Sequence, residues 1–309
     1  VLPFLDHFLY PAGVPAEIEE MTGNPWYRLD TFRAALRLVS MLPRDVAQEV
    51  AGALGRTGYE FASTGREAAL ENLGRITGLR DAMLEETARE NFDRFLRMMS
   101  DYFYCSLAPK EKIRRLVDEW IGFEHIVEAQ RRGKGGILIT GHLGNWELGG
   151  ILLALEGVPL TVITLEEPAS GLTEWREAYR KRLGIRTVAV GADPFSFVGI
   201  IAALRRNEFV AMLVDRPYGC SGVPVDFFGA QTQFSSAPSL LWQHTGAAVI
   251  PAFVLQKPGG RYVSLLAPAV PMDSDGAANA QRIATVFEAI VRRNPEQWFN
   301  YVPIWKTSI

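Results

Sequence analysis

Gly136-Ile-Leu-Ile-Thr-Gly-His-Leu-Gly-Asn-Trp-Glu-Leu-Gly-Gly-Ile-Leu-Leu-Ala-Leu155 joins a short apolar run to a second apolar stretch of helical length through a turn punctuated by glycine. The run Gly136–Thr140 predicts a buried strand and Trp146–Glu156 a helix, so the segment reads as a strand turning directly into a helix. Gly141 and Gly144 permit a tight turn without a Cβ penalty, and Asn145 is placed to cap the helix. His142 and Glu147 flank that turn at the carboxyl end of the strand, where open α/β sheets bind ligands. An imidazole is the side chain best matched to taking a proton from an attacking hydroxyl near neutral pH, and a carboxylate on its other nitrogen sets the tautomer. The free N–H groups of a helix amino terminus suit a developing oxyanion or a phosphate. The same residues also fit a structural histidine beside a capping Asn and a first-turn Glu that answers the helix dipole.

Working outward, short apolar runs recur at Leu160–Leu165, Thr187–Val190, Phe209–Val214, Val249–Leu255 and Tyr262–Ala267. Helical patterns lie between most of them, at Trp146–Glu156, Thr173–Leu183, Phe195–Arg206 and Pro238–Thr245, and a late amphipathic helix is expected over Ala277–Arg293. This alternation predicts an α/β fold with a mostly parallel central sheet flanked by helices. Residues 1–108 read differently, as a helical N-terminal region. Apolar residues there keep helical spacing over Leu29–Leu42, from Pro43 towards Phe61, over Ala68–Ile76 and over Ala82–Phe103. The stripe Phe92, Phe95, Leu96, Met99 and Phe103 is read as core. Residues 109–309 are read as the α/β core, with the helical region packed on it as part of one structural domain.

With 309 residues, 48% of them hydrophobic, the chain can bury a sizeable core. A formal net charge of −3 argues against general nucleic-acid binding, which demands a basic face. The two cysteines, Cys105 and Cys220, make neither a disulfide framework nor a metal-ligand cluster, so a reducing compartment, no metal and no cofactor are expected. No Walker-type loop, dinucleotide fingerprint or Gly-x-Ser-x-Gly elbow is present, which leaves nucleotide-driven chemistry and a marked serine hydrolase without support. No uninterrupted apolar stretch reaches eighteen residues, and the opening Val1–Tyr10 is apolar but short and broken by Pro3 and Asp6. The chain begins at Val1 rather than Met, which leaves room for a segment upstream.

His142, four intervening residues and Glu147 (an HX4E pattern) resemble the signature of the glycerolipid acyltransferase superfamily. The fuller string Gly141-His-Leu-Gly-Asn-Trp-Glu147 resembles its lipid A late-acyltransferase branch, which also includes phosphatidylinositol mannoside acyltransferases. A second block, Val214-Asp-Arg-Pro-Tyr-Gly-Cys-Ser-Gly-Val-Pro-Val-Asp-Phe-Phe-Gly229 followed by Thr245-Gly-Ala-Ala-Val-Ile-Pro-Ala252, is similar to the region that follows in that branch. The resemblance runs from about Trp26 to Trp298. It implies transfer of an acyl group from acyl carrier protein or acyl-CoA to a hydroxyl of a membrane lipid or glycolipid. His142 would be the general base and Glu147 its partner. Asn145, Arg182, Asp215, Arg216 and Asp226 are the substrate-binding candidates, Arg216 through its forked donors. The C-terminal string Pro295-Glu-Gln-Trp-Phe-Asn-Tyr-Val-Pro-Ile-Trp305 departs from the basic ending of lipid A enzymes, so the acceptor stays open.

Phe227, Phe228 and Phe234, in the long loop expected after Asp215, can line an acyl-chain tunnel or pin the loop to the core. Arg131, Arg132 and Lys134, and further on Arg176, Arg180, Lys181 and Arg182, are candidate lipid contacts or solvated helix faces. The expected placement is peripheral, on the cytoplasmic face of the inner membrane. A hydrolase using the same His and Glu to activate water, and a noncatalytic lipid- or carrier-binding protein, are the alternative readings.

Overall fold

A computed structural model describes residues 29–165, 170–190, 196–216 and 222–305. Four helices come first: α1 (Leu29–Met41), α2 (Arg44–Tyr59), α3 (Ser63–Thr77) and α4 (Asp81–Leu107). Pro43, with φ −55°, separates the first two, because its ring and missing N–H cannot continue α1. Gly78 ends α3 in the left-handed conformation (φ 71°), its N–H donating to the Gly74 carbonyl. The backbones of α2 and α4 come close because glycine faces the contact: a Cβ on Gly55 would strike the Phe92 carbonyl oxygen.

The expected stripe is core. Phe92, Phe95, Met99 and Phe103 are buried, while Leu96 is only partly covered. Their partners come from the far end of the chain, with Phe92 edge-on to Tyr301 at 4.8 Å and Phe95 to Phe299 at 5.4 Å. Two buried asparagines hold this tail as a backbone would. Asn72 Nδ2 donates to the carbonyls of Asn300 and Val302, both at 2.8 Å, and Asn91 Nδ2 donates to those of Glu296 (3.1 Å) and Trp298 (3.0 Å). The last described residues, from Ala289, therefore belong to the helical unit.

The second unit takes in most of Lys110–Glu288. It runs α5 (Lys110–Arg114), β1 (Val117–Ile121), α6 (Glu124–Arg131), β2 (Gly136–Thr140), α7 (Trp146–Leu155), β3 (Leu160–Leu165), α8 (Ser170–Arg182), β4 (Arg186–Val190), α9 (Ser196–Arg205), β5 (Phe209–Leu213), β6 (Gly222–Phe227), β7 (Ala230–Ser235), α10 (Ala237–Thr245), β8 (Ala248–Gln256), β9 (Tyr262–Leu266) and α11 (Gly276–Val291). Seven strands form one sheet in the order β1-β9-β8-β2-β5-β3-β4. Every neighbouring pair is parallel except β8 with β9, so the fold is α/β with a mixed, mostly parallel sheet. Central strands of such a sheet are covered on both faces, which is why β2 carries the apolar run Ile137-Leu-Ile139 and is buried along most of its length. On one face Leu138, Leu160, Phe209 and Ile250 pack with Ile126, Leu153 and Val158 into a single cluster.

Three strands lie outside the sequence expectation. The edge strand β1, Val-Asp-Glu-Trp-Ile, is mostly exposed and carries no apolar run. The hairpin β6–β7 occupies part of the stretch read as loop. Val225 and Phe227 point inward while Pro224 and Asp226 stay exposed. Its turn is Phe228-Gly229, with φ 52° and 71°, the positive pair that a two-residue hairpin connection needs.

Candidate functional site

His142 lies two residues beyond the end of β2, and Asp215 two residues beyond the end of β5. Those strands are neighbours in register, Thr140 opposite Leu213, and the ladder continues through Val214 N–H to the Thr140 carbonyl at 2.9 Å. Two residues separated by 73 positions are thereby set side by side at the carboxyl edge of the sheet. His142 Nδ1 is 2.9 Å from Asp215 Oδ1, and the His142 backbone N–H donates to Asp215 Oδ2 at 3.0 Å. Because an ionised carboxylate only accepts, Nδ1 carries the proton and Nε2 keeps its lone pair. The Asp215 side chain is fully buried, while 18% of the His142 side chain reaches solvent.

Burial pushes the His142 pKa below its ordinary value, and the Arg216 guanidinium lowers it further; Asp215 opposes both through its charge and its hydrogen bond. The imidazole is therefore neutral at neutral pH, with an accepting nitrogen at the end of the strand. The Trp146 ring stands edge-on to it at 5.5 Å.

The turn beneath this pair is held from below. Gly144 has φ 64°, and a side chain there would strike the Val254 carbonyl, the same oxygen that accepts the Asn145 N–H at 2.7 Å. Asn145 caps α7 as its position predicts, Oδ1 accepting the Leu148 N–H at 3.0 Å. The carboxylate expected against the imidazole, Glu147, is engaged elsewhere. It pairs with the buried Arg180 of α8, Nη2 to Oε1 at 2.5 Å. The reason is the reversal at Gly141–Gly144: Trp146 is the α7 residue that faces the His142 ring, and Glu147, the next one round the helix, is turned towards α8.

The remaining candidates divide. Arg216 is partly buried and acts on His142 through its charge. Arg182 is exposed, its guanidinium over the Tyr179 ring at 5.8 Å. Asp226 is a turn residue: its carboxylate accepts the Gly229 N–H at 3.1 Å, and Gln281 of α11 brackets its backbone, accepting from its N–H at 2.8 Å and donating to its carbonyl at 2.9 Å. Phe227 and Phe234 are fully buried and pack into an aromatic cluster with Phe287, so they pin the hairpin rather than line a tunnel. Arg131, Arg132 and Lys134 precede β2 and lie at the amino edge of the sheet, roughly 20 Å of strand away from His142. Cys220, Val1–Tyr10 and part of the loop after Arg216 fall outside the described residues.

A family model described as bacterial lipid A biosynthesis acyltransferase matches residues 27–307. The chain belongs to that family. It is an acyltransferase, built as an α/β unit with a helical N-terminal region. It is similar to the phosphatidylinositol mannoside acyltransferase of Mycolicibacterium smegmatis, 27% identical over 276 residues that cover 89% of this chain and 90% of the relative. A protein of the same description from Mycobacterium tuberculosis is 28% identical over 252 residues, 79% of this chain and 78% of the relative. The lipid A biosynthesis lauroyltransferase of Escherichia coli is 25% identical over 273 residues, 85% of this chain and 86% of the relative.

Proposed function

We propose that the protein moves a fatty acyl group from an acyl thioester, carried by acyl carrier protein or CoA, to a hydroxyl of a membrane glycolipid, with His142 as general base. The observation that carries this reading is the neutral imidazole held by one oxygen of a buried carboxylate whose other oxygen accepts the same residue's backbone N–H. Nε2 takes the proton of the acceptor hydroxyl as its oxygen attacks the thioester carbonyl. Arg216 and the positive end of α7 balance the tetrahedral oxyanion. Collapse breaks the C–S bond, the thiolate leaves with the proton from His142, and an ester remains. Asp215 steadies the imidazolium that forms in between, and Glu147 secures Arg180 beside the site.

Of the acceptor classes carried by the relatives' names, the glycosylated inositol lipid is favoured. Two relatives of that name are 27% and 28% identical to this chain against 25% for the lauroyltransferase, and the basic ending of lipid A enzymes is missing from Pro295–Trp305. Peripheral attachment at the cytoplasmic face of the inner membrane belongs to the same reading. No described helix is long and apolar enough to cross a membrane. On α2, Val46, Val50 and Leu54 recur every fourth residue and are exposed, as are Leu38 and Met41 of α1, which gives an apolar face suited to a lipid surface.

The test is thiol release from palmitoyl-CoA and palmitoyl-acyl carrier protein with phosphatidylinositol mannoside or a lipid A precursor as acceptor, products read by mass, wild type against His142→Ala. A gain of one acyl mass on a lipid that depends on His142 is the expected result. Free fatty acid alone would identify a hydrolase, and turnover that survives in His142→Ala would remove the base assigned here.

A further inference from the structure

The Val-Asp-Phe-Phe-Gly turn is tied at its tip to α11 and at its base to the residue before Asp215. Gln281 brackets Asp226, and the Phe228 N–H donates to Glu288 Oε2 at 2.7 Å. At the other end of the hairpin the Ser235 N–H donates to the Val214 carbonyl at 3.0 Å. Between these ties runs a chain of rings, Phe227 on Phe234 at 5.2 Å and Phe234 on Phe287 at 5.9 Å, with Phe253 on the other side of Phe287 at 5.0 Å. Phe287 is fully buried, and it ends this chain against the catalytic turn. A Cβ built on Gly141 would lie 2.5 Å from Phe287 Cε1 and 2.8 Å from Asp215 Cγ, so the ring and the carboxylate both close on Gly141. Two ties of one device thus reach the surroundings of Asp215, the hairpin's bond to Val214 and the ring packed close on Gly141.

We propose that Phe287, seated by the β6–β7 hairpin, is a positioning residue that holds the Asp215 carboxylate on His142. The proposal rests on the His142–Asp215 reading of the site, but its test needs no substrate. A closely packed ring leaves its neighbours one arrangement, and a branched aliphatic side chain in its place leaves several. Phe287→Leu then frees Asp215 to leave the imidazole. Gln281→Ala loosens the same hairpin at its partly exposed tip without opening a cavity, and so reports on the device if Phe287→Leu folds poorly.

The experiment is titration of the histidine rings by NMR in the purified protein, His142 being assigned from the spectrum of His142→Ala among the four histidines of the chain. The charged groups acting on this ring are Asp215 and Arg216. Asp215→Asn is expected to lower the His142 midpoint by about one unit, the lower end of what a neighbouring opposite charge does. Phe287→Leu and Gln281→Ala should each move it in the same direction by part of that amount. In the Asp215→Asn background Phe287→Leu should add nothing, because residues that act as a unit are not additive. An unchanged midpoint in Phe287→Leu, or a rise in both backgrounds that reports water entering the site, would overturn the proposal. An unmoved midpoint in Asp215→Asn itself would instead overturn the His142–Asp215 reading.

Discussion

Asp215→Asn and Glu147→Gln separate the carboxylate that touches the imidazole from the one that lies five residues away in sequence. With Nδ1 2.9 Å from Asp215 Oδ1, the carboxylate stabilises the imidazolium formed during proton transfer. Charges about 4 Å apart at an effective dielectric of about 20 interact by about 4 kcal/mol. An amide in place of the carboxylate keeps about 1 kcal/mol as a neutral hydrogen bond. The remaining loss of about 3 kcal/mol corresponds to a fall in kcat of about two orders of magnitude. The acid limb of kcat/KM should also move to lower pH, because the catalytic form is the neutral ring and Asp215 favours its protonation. Glu147→Gln removes the charge paired with Arg180, so its cost should appear mainly as lower stability, with less than about a tenfold fall in kcat and an unmoved limb. The assay is steady-state acyl transfer from palmitoyl-CoA across pH 5 to 9, with thermal melting of each variant alongside. A larger loss in Glu147→Gln than in Asp215→Asn would refute the assignment and restore the motif's own carboxylate as the partner.

Arg216→Gln should shift the acid limb the other way, to higher pH, because it removes a positive charge that lowers the His142 pKa; a limb left in place would detach Arg216 from the ring. Gly144→Ala forces a side chain into a positive-φ position and against the Val254 carbonyl, and a soluble protein with an unchanged melting temperature would contradict that geometry. Asn91→Ala leaves the buried carbonyls of Glu296 and Trp298 without that donor, and urea denaturation should show a loss of about 1–3 kcal/mol.

Much of the architecture is legible in short apolar runs, because a strand covered on both faces has little choice of residue: β2, β3, β5, β8 and β9 all lie where such runs do. The strands that escape are those whose burial comes from one side or from a partner. β1 is a charged edge, and β6 alternates around Pro224, so neither has a run to find. At the site, His142 and the Asn145 cap are local features and can be read locally. The partner of His142 cannot, since it depends on β5 lying beside β2 with Thr140 opposite Leu213, a strand order that no window of sequence contains. Asp215 is therefore visible beforehand as a polar residue near the site, and its grip on the imidazole only once the register is known. Phe227 and Phe234 carry the same lesson, since an aromatic in a loop looks alike whether it faces a ligand or another ring.

The asparagine clamps on the C-terminal tail set an order of events during synthesis. Asn91 and Asn72 wait for partners that lie 205 to 232 residues further along the chain. At about 5–20 residues per second, a ribosome needs about 10–45 s to reach them. Throughout that interval Phe92 and Phe95 lack Tyr301 and Phe299, and both amides lack their carbonyls. The helices that emerge first are thus completed last, after every strand of the sheet has been made, and a chain stopped short of residue 296 would leave them open to chaperones and proteases.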